Sequence, residues 1–291
     1  MLSSWLRAIR IRFLLASVIA VSNGLAISFW KTGSIDPLYA ALTYVGVVFL
    51  HASIDLLNDY WDHRRGIDNL TTRTKFSGGT GVLPEKLLTP KAVYSAGLIF
   101  LILGASVGAY FVAVRGITIA VILGFAVVAI YFYSTSIVNS GLGEFFVAIK
   151  GAMIVLGTFY VQSPEIEPAA LYVGVIVGSL SATVLFVNSF PDFEADRAKG
   201  RRTLVILLGK SQATNIFPIF TIVAYVMIIA GIFLGFTKIY SLISLASLPF
   251  AAKSIMSLKN GQCMENLIPA MASAVTYSRI TGFLLALSFI F

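Results

Sequence analysis

Nine apolar runs, each bounded by charged or turn-forming residues, constrain this chain more than any single motif. They fall at about 12–30, 37–60, 91–112, 116–135, 142–161, 168–190, 212–234, 239–258 and 264–290. A helix needs about 20 apolar residues to cross the roughly 30 Å hydrocarbon layer, and runs of this length exceed what a buried helix of a soluble domain requires. The expected fold is an all-α membrane protein of about nine transmembrane helices. Composition agrees: 58% of residues are hydrophobic and 12% charged, where a soluble domain carries about a quarter charged. The abundant Gly and Phe suit helix packing in lipid, where small residues let backbones approach. No linker or shift of composition divides the 291 residues, so a single domain over 1–291 is expected. The first run, from Phe13 to Trp30, is long and lacks a small-residue cleavage site, and it reads as a span rather than a removable signal peptide.

Charge fixes the orientation. Arg7, Arg10 and Arg12 precede the first run. Arg64, Arg65, Arg73, Lys75 and Lys86 follow the second, and Arg197, Lys199, Arg201, Arg202 and Lys210 follow the sixth. Lys253 and Lys259 flank the turn after the eighth, while the alternate connections hold only Lys31, Arg115 and Lys238. Cytoplasmic loops collect Lys and Arg. The N-terminus and the long loops 61–90 and 191–211 are therefore expected in the cytoplasm of a multi-pass cell-membrane protein, with the C-terminus outside. The same asymmetry accounts for the net charge of +8 without a nucleic-acid partner. The single cysteine, Cys263, excludes an intrachain disulfide and a thiolate cluster. Two histidines, His51 and His63, are too few for a multi-histidine zinc or iron site.

Two acidic clusters end the second and sixth runs. Asp55, Asn58, Asp59 and Asp62 are spaced three or four apart, which places them on one helical face. Asn188, Asp192 and Asp196 repeat at four-residue spacing, with Pro191 expected to bend the chain between them. Several carboxylates on one face near hydrocarbon repel one another and are costly, and a divalent cation relieves that cost. Oxygen donors without His or Cys point to Mg²⁺, whose shell is commonly completed by substrate phosphates. The expected metal ligands are Asn58, Asp59, Asp62, Asp192 and Asp196. The two clusters facing each other would bridge a diphosphate, whose remaining charge would be bound by basic loop residues such as Arg73, Lys75 and Lys199. Solvated aspartates at helix ends are the plainer alternative.

Other positions extend this reading. The segment Ser77-Gly78-Gly79-Thr80-Gly81 could present backbone N–H groups to an anion or serve as a flexible loop, and it lacks the Gly-Lys-Ser/Thr of a Walker loop. Lys150 falls inside the fifth run, where a lysine is rare and usually functional; it is read as a phosphate ligand rather than a snorkelling residue. Asn23 is read as a polar group of the cavity, with an interhelical hydrogen bond as its alternative. Tyr133 and Ser134 end the fourth run and could contact a diphosphate. Arg279 is open between a structural and a functional role, and His51 and His63 read as structural.

At these clusters the chain resembles the UbiA superfamily of intramembrane aromatic prenyltransferases. Asn58-Asp59-Tyr60-Trp61-Asp62 is similar to the first aspartate motif of that family and Asp192-Phe193-Glu194-Ala195-Asp196 to the second. The resemblance extends to the menaquinone branch, the 1,4-dihydroxy-2-naphthoate prenyltransferases, through Gly66-x-Asp68, Gly78-Gly79-Thr80-Gly81-Val82-Leu83, Gly143-Glu144, Gly200-Arg201-Arg202-Thr203-Leu204 and Leu208-Gly209. It covers the first seven runs. It implies a helical bundle around a central cavity with cytoplasmic cap loops, Mg²⁺ dependence, an isoprenyl diphosphate donor and an aromatic acceptor. Asp62, Asp68, Asp192 and Asp196 would be the catalytic aspartates, with Asn23, Asn58, Arg73, Lys75, Tyr133, Ser134, Lys150, Asn188 and Lys199 binding substrate. The family's usual third aspartate, four residues after Asp62, is Gly66 here, and Asp68 stands two further on. Asp55 stands where the branch often has Asn. The base that takes the proton of the acceptor is open between Asp62, Asp68 and the diphosphate. Acceptors such as 4-hydroxybenzoate or a glycerophosphate ether lipid fit the same pattern. A cation-coupled transporter is the reading from another class, though its ion sites belong near the bilayer midplane rather than at a rim.

Overall fold

A computed structural model describes residues 2–68 and 70–291. It is helical throughout, and among the described residues there is no strand. A short helix α1 (Leu2–Ala8) leads into α2 (Ile11–Thr32), α3 (Pro37–Arg65), α4 (Pro90–Arg115), α5 (Ile117–Phe132), α6 (Gly143–Gln162) and α7 (Pro168–Asn188). Two short helices, α8 (Phe193–Ala198) and α9 (Leu204–Leu208), cross the polar end before α10 (Lys210–Phe233), α11 (Leu248–Lys259) and α12 (Met264–Ser288). Eight segments are long and apolar enough to cross a membrane, one being the 3₁₀ stretch Ile239–Ser247 continued into α11. The ninth run is α5, with 16 residues, about 24 Å at 1.5 Å per residue. Together they match the expected nine runs, within a few residues at each end.

Local chemistry sets the starts. Pro37, Pro90 and Pro168 occupy the first turn of α3, α4 and α7, where a missing N–H costs nothing. Asp36 accepts from the Tyr39 N–H at 3.0 Å, and Thr89 accepts from the Ala92 N–H at 3.2 Å. Gly66 ends α3 at φ 71°, donating to the carbonyls of Asp62 and His63.

The helices form a ring. α2 packs on α3, α6, α7 and α12; α3 packs on α4, α4 on α5, α6 on α7, α7 on α10, and α11 on α12. The closest seam is α6 against α7. There a Cβ added to Gly178 would stand 2.1 Å from the Ala148 carbonyl oxygen, and one added to Gly151 would stand 2.5 Å from the Gly178 Cα. Both positions require glycine for backbone contact, the small-residue device of membrane interfaces. The core between α2, α6, α7 and α12 includes Ile27, Phe159, Ile176 and Tyr277, all fully buried. Large apolar side chains such as Ile102, Val121, Ile219 and Phe233 cover the outside, as a lipid-facing surface requires.

Candidate active site

Inside the ring, at the end carrying α8 and α9, lies a polar cavity of about 270 Å³. Helix α3 presents His51, Asp55, Asn58 and Asp62 to it along one face, as the three-to-four spacing requires. Asn58 is fixed at both ends of its amide: Nδ2 donates to Asp62 Oδ2 at 3.1 Å, and Oδ1 accepts from the Ser134 hydroxyl at 2.9 Å. Arg65 donates to the carbonyls of Ser134 and Thr135, at 2.6 and 3.1 Å, pinning the turn after α5 to α3. Tyr133 therefore lines the cavity, while Ser134, 2% exposed, positions Asn58 from behind.

The second cluster reaches the cavity by a broken path. α7 ends at Asn188, residues 189–192 turn at Pro191, and α8 begins at Phe193. The continuous four-residue face expected for Asn188, Asp192 and Asp196 is thus corrected to two helices and a turn, although all three residues line the cavity. Gly78 N–H, in the glycine-rich loop, donates to Asp192 Oδ2 at 3.2 Å. Burial, then the neighbouring Asp196, pushes the Asp192 carboxyl up to about 7. Burial also raises Asp196, against the pull of Arg201.

Arg201 joins the clusters. Its Nη2 donates to Asp62 and its Nη1 to Asp196 Oδ1 at 3.2 Å, all three side chains being 10% exposed or less. Its guanidinium pKa is raised: burial acts against the charge, and Asp62 and Asp196 more than offset it. The sequence marks Arg201 as a loop charge and as part of the Gly200–Leu204 motif but gives it no site role, because nothing local says which of Arg197, Arg201 and Arg202 turns inward.

Several expected site residues stand elsewhere. Asp59 does not line the cavity: Oδ1 accepts from Arg10 at 2.7 Å and Oδ2 from the Thr80 hydroxyl, so its carboxylate clamps Arg10 and the glycine-rich loop to α3. Asp68 also lies off the cavity. Gly66 ends the helix in the left-handed region, so Asp68 leaves the α3 face and packs against Gly79. Burial, then Asp62 and Asp59, pushes its carboxyl up to about 7. Arg73 pairs with Glu85, and Lys75 and Lys199 are exposed. None of these three lines the cavity. Asn23 is fully buried outside it, with Nδ2 donating to the carbonyls of Ile19 and Gly282, each at 2.9 Å. This is an interhelical bond between α2 and α12 rather than a substrate contact. Ser77, Gly78 and Gly79 of the glycine-rich loop line the cavity, and the far side of the loop is held by α1. Arg7 donates to the Thr80 carbonyl at 2.6 Å and pairs with Glu85 at 2.7 Å, closing α1 over it.

Lys150 of α6 lines the polar cavity and also a second, almost wholly apolar cavity of about 160 Å³ between α3, α4, α5 and α6. His51, Ile54, Tyr133 and Val147 border both. Lys150 has no ion pair among the described residues. Arg10, read in the sequence only as a topological charge, also lines the polar cavity.

Among the described residues no three carboxylates or histidines converge at ligand distance. The donor chemistry still fits a hard cation. Asn188 Oδ1, Asp192 Oδ1 and Asp55 Oδ2 are buried oxygens without a hydrogen-bond partner, and such atoms are costly to leave unmet.

A multi-pass helical bundle with a carboxylate-lined chamber beside an apolar one defines an integral membrane protein with an amphipathic internal site. The chain belongs to the UbiA prenyltransferase family, whose model matches residues 17–262. It is 24% identical to the 1,4-dihydroxy-2-naphthoate octaprenyltransferase of Bacillus subtilis over 279 residues, covering 94% of this chain and 88% of that one. It is 29% identical to the Escherichia coli protein of the same name over 220 residues, covering 72% and 70%. In fold it is similar to a UbiA homolog from Archaeoglobus fulgidus bound to GPP and Mg²⁺, with TM-score 0.68, 15% identity and coverage of 97% and 99%.

Proposed function

We propose that the protein transfers a polyprenyl group from an isoprenyl diphosphate to 1,4-dihydroxy-2-naphthoate, in menaquinone biosynthesis, at the cytoplasmic face of the cell membrane. One observation carries this reading. The chamber lined by Asn58, Asp62, Asn188, Asp192 and Asp196 lies beside the apolar cavity and shares His51, Ile54, Tyr133, Val147 and Lys150 with it. That junction suits a molecule with an anionic head and a hydrocarbon tail. The named relatives support the acceptor.

Asn58, Asp62, Asn188, Asp192 and Asp196 are the residues that would hold Mg²⁺. When bound, the ion would neutralise charge developing on the departing diphosphate as a Lewis acid. Lys150, Arg10 and Arg201 add charge-assisted donors for the phosphate oxygens. Tyr133 offers a ring face to the allylic carbon as it becomes cationic. The apolar walls of α3–α6 exclude water from that cation; the ring proton displaced by the prenyl group would pass to Asp62 or to a diphosphate oxygen and then to the ring carbon that loses the acceptor's carboxylate as carbon dioxide, with diphosphate as the other product.

The test is an acceptor screen. Purified protein is given Mg²⁺, a labelled prenyl diphosphate, and 1,4-dihydroxy-2-naphthoate, 4-hydroxybenzoate or a glycerophosphate ether lipid, with products read by mass spectrometry. Prenylated naphthoquinol is expected. Absence of product across the panel would overturn the reading, and product from another acceptor alone would reassign it.

A further inference from the structure

Arg279 lies within a membrane span and is not part of the chemistry above. Helices α2 and α12 run side by side in the same direction. Arg279 Nη2 donates to the Arg12 carbonyl at 2.5 Å, Asn23 bonds to the Gly282 carbonyl at 2.9 Å, and the Trp30 and Phe289 rings lie 5.2 Å apart. Arg279 is therefore level with the first turn of α2, and it lines the polar cavity with Phe13, Ala16, Val275 and Ser278. Its one hydrogen bond uses one of five guanidinium N–H groups. Of the arginines that line this cavity, Arg10 and Arg201 each pair with a carboxylate, and Arg279 has no such partner among the described residues. Arg279 is half-buried at the rim of the span, so its remaining N–H groups are free to meet an anion that enters the cavity.

The anion it serves is not readily the diphosphate. The carboxylates and amides proposed for that head group come from α3 and the segment 188–196; on the side built by α2 and α12, Arg10 is held by Asp59 whereas Arg279 has no acid beside it. On that side three apolar side chains, Phe13, Ala16 and Val275, adjoin one serine, the acid-paired Arg10 and Arg279. A flat aromatic ring carrying one carboxylate matches that wall, and the planar guanidinium fork matches a carboxylate. We propose that Arg279 binds the carboxylate of an aromatic-acid acceptor and so makes the enzyme selective for acids over neutral phenols. This rests on the reading of the protein as an aromatic prenyltransferase.

The test measures binding apart from turnover. Protein in nanodiscs of neutral lipid is titrated with 1-hydroxy-2-naphthoate and with 1-naphthol, following naphthyl fluorescence. The native protein should prefer the acid by about tenfold, equivalent to about 1.4 kcal/mol. Arg279→Gln should abolish that preference while leaving 1-naphthol binding and the KM for the prenyl diphosphate within about twofold, by loss of one charge-assisted contact. Arg279→Lys, which keeps the charge and is the gentler change to the fold, should retain part of the preference. An undiminished preference in either variant would overturn the proposal, as would equal loss of both ligands or a native protein with no preference. Turnover of any aromatic acceptor by the native enzyme is measured in parallel. Its absence would overturn the prenyltransferase reading itself, whereas turnover without acid selectivity would overturn only the role of Arg279.

Discussion

Arg201 and Asp62 form an ion pair across 139 residues of sequence, and the same guanidinium reaches Asp196. One cation thus ties the end of α3 to α8 and closes the chamber from below. Removing one partner of a buried pair costs about 3–5 kcal/mol because the other charge is left uncompensated. Arg201→Gln is expected to lower the thermal midpoint of the metal-free protein in detergent. Added Mg²⁺ should recover more of that loss in the variant than it adds to the native protein, since a second cation can then serve Asp62 and Asp196. Identical midpoints for native and variant protein without metal would refute the bridging role.

Asp59 and Asp62 share a motif but face different partners. Asp59→Asn weakens the clamp on Arg10 and Thr80, and leaving such buried groups poorly paired costs about 1–3 kcal/mol. Its turnover should fall with the Mg²⁺ concentration for half-maximal rate unchanged. Asp62→Asn should lower turnover by about a hundredfold or more, the scale of losing a donor that stabilises developing charge, and should shift the Mg²⁺ dependence upward. Titrating turnover against Mg²⁺ separates the two; an upward shift in Asp59→Asn would return Asp59 to the metal site.

Asn23→Val removes the two Nδ2 bonds that link α2 internally and to Gly282. Interhelical polar contacts in membranes are worth about 0.6–2 kcal/mol, so a modest loss of stability is expected. KM for donor and acceptor should stay within about twofold, since the residue adds no charge-assisted contact to substrate. Steady-state kinetics beside thermal unfolding checks this, and a KM change without a stability change would place Asn23 at the cavity.

Glu85 carries the contact between α1 and the glycine-rich loop. Hydrogen bonds from Arg7, with help from Arg73, hold its carboxyl down to about 2, from an ordinary 4.5. A depressed folded-state pKa means the contribution is complete above about pH 4.5 and lost as pH falls through about 2. Cleavage of the loop by a protease should therefore be equally slow at pH 5 and pH 8, after correction for the protease's own pH profile. Glu85→Gln should open the loop at both. A loop in the native protein that loosens between pH 8 and pH 5 would contradict this assignment.

Much of the site could be read before the fold was seen. Asp55, Asn58 and Asp62 line the chamber because helical spacing alone places them on one face, and Lys150 was conspicuous because charge is rare inside an apolar run. Asp59 lies off the chamber, because spacing does not distinguish a residue that faces a cavity from one turned toward a neighbouring segment. Arg73, Lys75 and Lys199 were favoured as basic neighbours in sequence, whereas Arg10 and Arg201 hold the inward positions. A loop's path depends on what it packs against, and no local pattern reports that.

By itself the sequence determined the class of solvent, the nine apolar runs, the alternation of basic loops between them and the oxygen-rich chemistry at two of their ends. Those properties follow from hydropathy, charge and helical period, which are local. Only the tertiary structure decided which charges meet. It broke the second cluster at Pro191, turned Asp68 away behind Gly66, and set Arg201 between Asp62 and Asp196. The reason is that a buried charge is tolerated only where a partner from elsewhere in the chain arrives, and which segment arrives is settled by the packing of the whole bundle.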